Sequence, residues 1–443
     1  MSPPSEQVTP PLEELAGHVR PLLAPEFDGM NRLGDVLASV ADATVLGIGE
    51  PGHGIRDCHR LQHRLCKQLV REHGLRVVAL EAHASEVRAL DEYVVRGIGS
   101  AEEAMRELSF WVWQTEAYRE FLEWLRAFNA DRPVSDRVRV HGIDVQSTSA
   151  PAERVASYLE AVDPGFRDAT GDALELLGEG IQPHTRDDDP DETRTRSHVE
   201  TAGETVATLA DRFDDRREAY IDATDERAFE LARRHVKVLE YAVDLARVAL
   251  EDGHGVTYGG RRDGAMVESV EWLLEFEPHD SIAVVAANGH LRTGNDHHED
   301  ADPQHGPLGY HLDRAFGDDY RVLAVEFGTG SVRMLDADSE AQARSFPAQQ
   351  LDSPPADSLP AALTALTDDT AFVDLAAASE DPAVAEWLAN ADSHGFAPLY
   401  DDDRDAGLAG NWGLDYSREA DGLLFVPEVD AAELLDFVTE PDG

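Results

Sequence analysis

Residues 43–54 read Ala43-Thr44-Val45-Leu46-Gly47-Ile48-Gly49-Glu50-Pro51-Gly52-His53-Gly54. The apolar run up to Gly49 has the character of a short buried strand. It ends at Glu50, and Pro51 to Gly54 turn the chain. Beyond the turn, Ile55, Cys58, Leu61, Leu65, Cys66, Leu69 and Val70 recur at spacings of three and four, which marks a helix with one buried face; Gly74 stops it. Arg76-Val77-Val78-Ala79-Leu80 is a second short strand, ending at Glu81. Strand, helix and strand within about forty residues form a βαβ unit and imply parallel pairing.

The pattern continues outward. Helical periodicity lies near 84–96, 115–129 and 263–276. Residues 138–143 read as a third strand ending at Asp144. Residues 281–287 read as a fourth, ending at Asn288-Gly289-His290, and 321–327 as a fifth. A long helical stretch over about 151–252, broken by the acidic loop Thr185 to Glu192, predicts an inserted helical subdomain. The fold class is therefore α/β, a parallel-sheet core with a large helical insertion. Residues 1–12, with four prolines, read as a loose arm, and 336–360, rich in Ser, Pro, Ala and Gln, as a linker or loop. Short helices and a strand at 422–426 close the chain. This divides it into an arm and first helix (1–29), a core (30–335) and a C-terminal part packing on the core (336–443).

The 443 residues include 88 Asp and Glu against 38 Lys and Arg, a formal net charge of -50, and the only lysines are Lys67 and Lys237. The acids are spread evenly. Such a coat reads as adaptation to high salt, where charge keeps a protein dispersed and salt screens its self-repulsion. It disfavours a nucleic-acid partner, which needs a basic face. No run approaches the ~18 apolar residues of a membrane span, so no membrane partner is expected. No secretory signal is visible at the start, and Cys58 and Cys66 on one helix make no disulfide framework, so a cytoplasmic location is expected.

Four of these strands end in polar groups: Glu50 with His53, Glu81, Asp144, and Asn288 with His290. Ligands of parallel α/β sheets bind outside the carboxyl ends of the strands, so these residues are expected to converge on one site. The sequence lacks a G-x-S-x-G elbow, a phosphate-cradling G-x-x-x-x-G-K-[ST], a G-x-G-x-x-G helix opening and H-E-x-x-H. What remains is acid–base work by histidine and carboxylates with water as nucleophile, or a divalent metal held by the same groups.

Several stretches together resemble the erythromycin esterase family. They are Gly49-Glu50-Pro51-Gly52-His53-Gly54 before a helix, Val78-Ala79-Leu80-Glu81, the tryptophan-rich segment Phe110-Trp111-Val112-Trp113, His141-Gly142-Ile143-Asp144-Val145-Gln146, Arg262-Asp263-Gly264-Ala265-Met266, Asn288-Gly289-His290 and Leu308-Gly309-Tyr310-His311-Leu312. With its acidic coat the chain resembles a haloarchaeal-type member. The resemblance implies an α/β core with a large helical portion beside a deep cleft, and esterases that open macrolide lactones in antibiotic resistance. It implies His53 as general base for water, Glu50 and Glu81 as essential carboxylates, and His290 as the second histidine of an H-N-x-H pattern. The chain departs from that pattern at Ala287, where the first histidine would stand, and at Gln62, where an arginine often follows the base; Arg60 and Arg64 lie nearby.

The reading is a hydrolase of a small carboxylic ester or lactone, without cofactor or covalent intermediate. His53, Glu50, Glu81 and His290 are the candidate catalytic residues. Asp144, Asn288, Arg60, Arg64, Trp111 and Trp113 are the candidate substrate contacts, with core packing as the alternative for the two tryptophans. A metal-dependent hydrolase and a non-catalytic binding protein are the rival readings; the oligomeric state is open.

Overall fold

The computed structural model describes residues 9–22, 33–181, 192–295, 305–336, 346–351, 353–391, 399–400 and 414–439. Of the acidic loop expected at Thr185–Glu192, all but Glu192 lies outside these residues, as do residues 1–8 of the arm. The strands are β1 (Val19–Pro21), β2 (Val45–Glu50), β3 (Val77–His83), β4 (Arg139–Asp144), β5 (Ile282–Ala287), β6 (Tyr320–Arg333), β7 (Leu335–Asp336), β8 (Ala348–Leu351), β9 (Ala371–Asp374), β10 (Leu399–Tyr400) and β11 (Gly422–Val429). One sheet runs in the order β1-β9-β11-β6-β2-β5-β3-β4, with β8 added on β6. From β11 through β4 every neighbouring pair is parallel, while β9, β1 and β8 are antiparallel additions. β7 and β10 form a separate pair.

Every residue of β2, β3 and β4 is buried, as expected of parallel strands covered on both faces. Successive side chains alternate between the two cores: Val78 and Leu80 of β3 enter one, Val77 and Ala79 the other. The first core is closed by the helices Arg56–Glu72, Arg88–Arg96 and Glu116–Asn129. It takes in Cys58 and Cys66, both free and buried. The second is closed by Val256–Phe276, Leu308–Phe316 and Leu359–Leu366.

The expected helical insertion is present as the helices Ser149–Val162, Pro164–Ala169, Gly171–Gly178, Glu192–Asp215, Arg217–Ala223 and Glu226–Asp252. It has an apolar core of its own, including Phe213, Tyr220 and Phe229. A smaller cluster of Val145, Val238, Leu245, Ala249, Tyr258 and Ala265 joins it to the sheet. Among the described residues no helix is long and apolar enough to cross a membrane.

Two expectations need correction. Residues 348–351, read as linker, form β8, whose polar Ala-Gln-Gln-Leu run pairs with Gly330–Arg333 of a β6 longer than expected. The helix expected at 263–276 begins at Val256 and takes in Gly259 and Gly260.

Candidate active site

Register brings the strand ends together. Glu50 at the end of β2 lies opposite Ala287 at the end of β5. Leu80 of β3 lies opposite Val285 of β5, so Glu81 follows beside the same strand end. β3 and β4 pair until a register shift after Leu80, which sets His83 opposite Asp144. Three carboxylates are thus fixed at neighbouring strand ends and almost wholly buried: Glu50 is 2% exposed, Glu81 7% and Asp144 1%. Buried carboxylates need compensating partners, and each has one.

Glu50 meets two histidines. Its Oε1 lies 2.5 Å from His53 Nδ1 and its Oε2 3.3 Å from His59 Nε2. His53 follows the sharp turn after β2, and its side chain is 27% exposed. The turn depends on Gly54, whose φ of 77° is left-handed; a Cβ there would lie 2.3 Å from the Arg333 carbonyl oxygen and 2.9 Å from the Trp111 ring. The same residue is braced from β6 and from the C-terminal part: the N–H groups of Arg333 and Ala432 both donate to the Gly54 carbonyl, at 3.0 and 2.9 Å.

Arg262 joins the other two carboxylates. Its Nη2 donates to Glu81 Oε1 at 2.7 Å and to Asp144 Oδ2 at 3.1 Å, and its Nε to Asp144 Oδ1 at 3.0 Å. The second oxygen of Glu81 accepts the N–H of Ala287 at 2.9 Å. His290 stands between acids: Nδ1 is 2.7 Å from Asp263 Oδ1 and Nε2 is 3.2 Å from Glu81 Oε1. Arg262 Nη1 also comes within 3.0 Å of that Nε2. Guanidinium and imidazolium cannot both point a hydrogen at each other. With acids against both ring nitrogens, the protonated ring is the favoured state, its Nε2 hydrogen going to Glu81.

The proton affinities follow from these contacts. Burial pushes the Glu50 carboxyl up, but His53 and then His59 outweigh it and hold it down at about 2. Burial pushes His53 down; Glu50 overcomes this and leaves it raised. For His290 burial is likewise outweighed, by Asp263 and Glu81, and its pKa rises to about 10. Glu81 and Asp144 are lowered against burial, chiefly by His290 for the first and Arg262 for the second.

Stability therefore depends on pH at both ends. Glu50 has its pKa lowered on folding, so its contribution is present above the ordinary 4.5 and is lost as pH falls toward about 2. His290 has its pKa raised, so its contribution is full below 6.5 and is lost as pH rises through about 10. Urea midpoints measured across pH should fall in both windows; a flat midpoint from 6.5 to 10 would show that His290 is not held protonated.

The other expected contacts distribute differently. Trp111 abuts the Gly54 turn and packs against Phe346 with ring centroids 4.9 Å apart. Trp113 is buried edge-on to Tyr118 at 5.0 Å, a packing role. Asn288 turns to the sheet: its amide donates to the Val325 carbonyl at 2.8 Å and accepts the Val325 N–H at 3.1 Å. Arg60 faces Glu120 on the helix Glu116–Asn129, 3.9 Å away. Arg64 lies one turn further along its helix, partly buried. Gln62 donates to the Gly49 carbonyl at 2.7 Å. Sequence reasoning gave no role to His59, Arg262 or Asp263. The adjacent Arg-Asp pair was visible, but its two partners lie on other strands and could not be named. Among the described residues no three His, Cys, Asp or Glu side chains are placed to hold a metal ion. The place between Glu81 and Asp144 is taken by the Arg262 guanidinium.

These contacts define a class: an α/β protein whose parallel strands end in buried carboxylates, each paired with a histidine or an arginine. The chain matches the erythromycin esterase family over residues 70–429 and belongs to it. It is 23% identical over 320 residues to erythromycin esterase type II of Escherichia coli, covering 67% of this chain and 72% of that one. It is also 23% identical over 301 residues to the type I enzyme of Escherichia coli, covering 62% and 68%. A crystal structure of a Bacillus cereus protein aligns with TM-score 0.78 at 21% identity over 96% of this chain and 98% of its own. An erythromycin esterase mutant, EreC, in its open conformation aligns with TM-score 0.67 at 18% identity over 95% and 99%. The fold is shared with both; the family is one of esterases, which are hydrolases.

Proposed function

We propose that this protein hydrolyses a small carboxylic ester or lactone by attack of a water molecule activated by His53, with no covalent intermediate. The observation that carries the reading is the 2.5 Å contact of His53 Nδ1 with the buried Glu50. It fixes the tautomer, leaving Nε2 as the nitrogen that takes the proton of water, and it raises the basicity of the ring. Once the water adds to the carbonyl, His290 and Arg262 supply positive charge for the oxyanion, and the protonated His290 can give a proton to the departing oxygen. Glu81 and Asp144 hold Arg262 in place. Trp111, against the turn that carries His53, lines the approach to the base. The names of the relatives make a macrolide lactone the first substrate to try.

The test is incubation with aryl esters, lactones and erythromycin, followed by mass. The expected result is gain of one water on at least one compound, with the rate rising with pH through a His53 pKa above 6.5 and lost in His53→Ala. A variant that still cleaves at the full rate would remove His53 from the mechanism.

A further inference from the structure

Away from these strand ends, a cavity with room for a water-sized occupant opens between the sheet and the helical insertion. Its polar lining comes from Arg88, His141, Arg234, His235 and Ser269, with Trp272 beside them, and no Asp or Glu lines it among the described residues. In a chain with 88 acids against 38 Lys and Arg, a wall of this kind is the reverse of the surroundings.

Its cations are not equally neutralised. Arg88 pairs with Asp91 at 2.6 Å, and His141 with Glu277 at 2.8 Å. Arg234, only 9% exposed, donates to the Ser269 hydroxyl and lies 5.3 Å from the Trp272 ring centroid and 5.6 Å from that of Tyr241. The acids that act on it are engaged elsewhere. Glu240 pairs with Lys237 at 2.9 Å, and Glu268 accepts the Tyr241 hydroxyl. Burial lowers the affinity of Arg234 for its proton and outweighs the opposing pull of Tyr241, to which it is hydrogen-bonded, and of Glu268 and Glu240. His235 is 8% exposed, and its Nδ1 lies 2.8 Å from the Ser85 hydroxyl. If Ser85 donates there, the neutral ring offers Nε2–H as a donor.

We propose that this cavity is a binding site for a single halide ion, held by the Arg234 guanidinium and the His235 ring. Its walls come from the helix Glu226–Asp252 of the insertion on one side, and from β4 and the helix Val256–Phe276 on the other. The ion therefore fastens the insertion to the sheet two residues from Asp144, since Gly142 is part of the lining. The proposal is independent of the ester hydrolysis proposed above.

The test uses the full chain. In crystals soaked in bromide, an anomalous peak is expected in the cavity against Arg234 and His235. In solution, at fixed ionic strength and with the same cation, replacing gluconate by chloride should raise Tm saturably by about 2 °C. The increment should vanish in Arg234→Met. Should that variant fail to fold, Val238→Phe keeps the arginine and fills the space, and should abolish the increment equally. A cavity holding only water in the bromide crystal, a peak with no increment in solution, or an increment retained in the folded variant each overturns the proposal.

Discussion

Glu50→Gln is expected to lower the turnover of a cleaved substrate by about 10³–10⁴-fold, the scale on which a base loses activity when its orienting carboxylate becomes an amide. Glu50 is 2% exposed and touches His53 and His59 at once. Glutamine has nearly the same shape but carries a hydrogen-bonding NH2 where one oxygen stood. If that group faces His53, Nδ1 must become the acceptor, and Nε2 then carries the hydrogen and cannot take one from water. If it faces His59, the contact with His53 survives but the charge that raises the His53 pKa is gone. Either way the pH limb of the remaining activity should move to lower pH. Measurement of kcat against pH, with circular dichroism to check folding, decides the matter. An unchanged limb would mean that Glu50 does not act through His53.

Arg262→Met is expected to cost about 3–5 kcal/mol of stability, the range found when one partner of a buried ion pair is removed. Glu81 and Asp144 would keep their charges in a dry setting with the shared cation gone, and among the described residues Asp144 would retain only Gln146 and the Val145 N–H as donors. Both carboxyls should then take up protons more readily. The loss should therefore shrink as pH is lowered and they are neutralised. Urea unfolding of wild type and variant at neutral and acid pH tests both statements. A loss below about 1 kcal/mol would place the pair among solvated ion pairs instead.

The central strands were legible because parallel strands buried on both faces are short unbroken apolar runs, and Val45–Gly49, Val77–Leu80 and Ile282–Ala287 are such runs. The antiparallel additions were not: Ala348–Leu351 has two glutamines in four residues, and Ala371–Asp374 is too short to show a period. Gly260 is a different case, since it lies in a helix expected to begin only at 263. It sits inside a helix because a Cβ there would lie 2.3 Å from the Cα of His305, a contact with residues far along the chain. In the candidate site, the acids and His53 could be read as strand ends, because position along a strand is a local property. Arg262 lies in the middle of a helix. That it meets Glu81, Asp144 and His290 depends on how that helix crosses the sheet, which no spacing reveals.

The order of strands has a consequence for biosynthesis. β2 is bonded only to β5 and β6, both of which emerge from the ribosome more than two hundred residues later. At about 5–20 residues per second, translation leaves this strand without a neighbour for tens of seconds. In that interval Glu50 has no buried site to enter, and an apolar strand with two open edges invites pairing with other nascent chains. The polar turn at its end, with the Glu50 carboxylate, then works as protection: it stays hydrated until β5 arrives and Glu50 can be buried beside it.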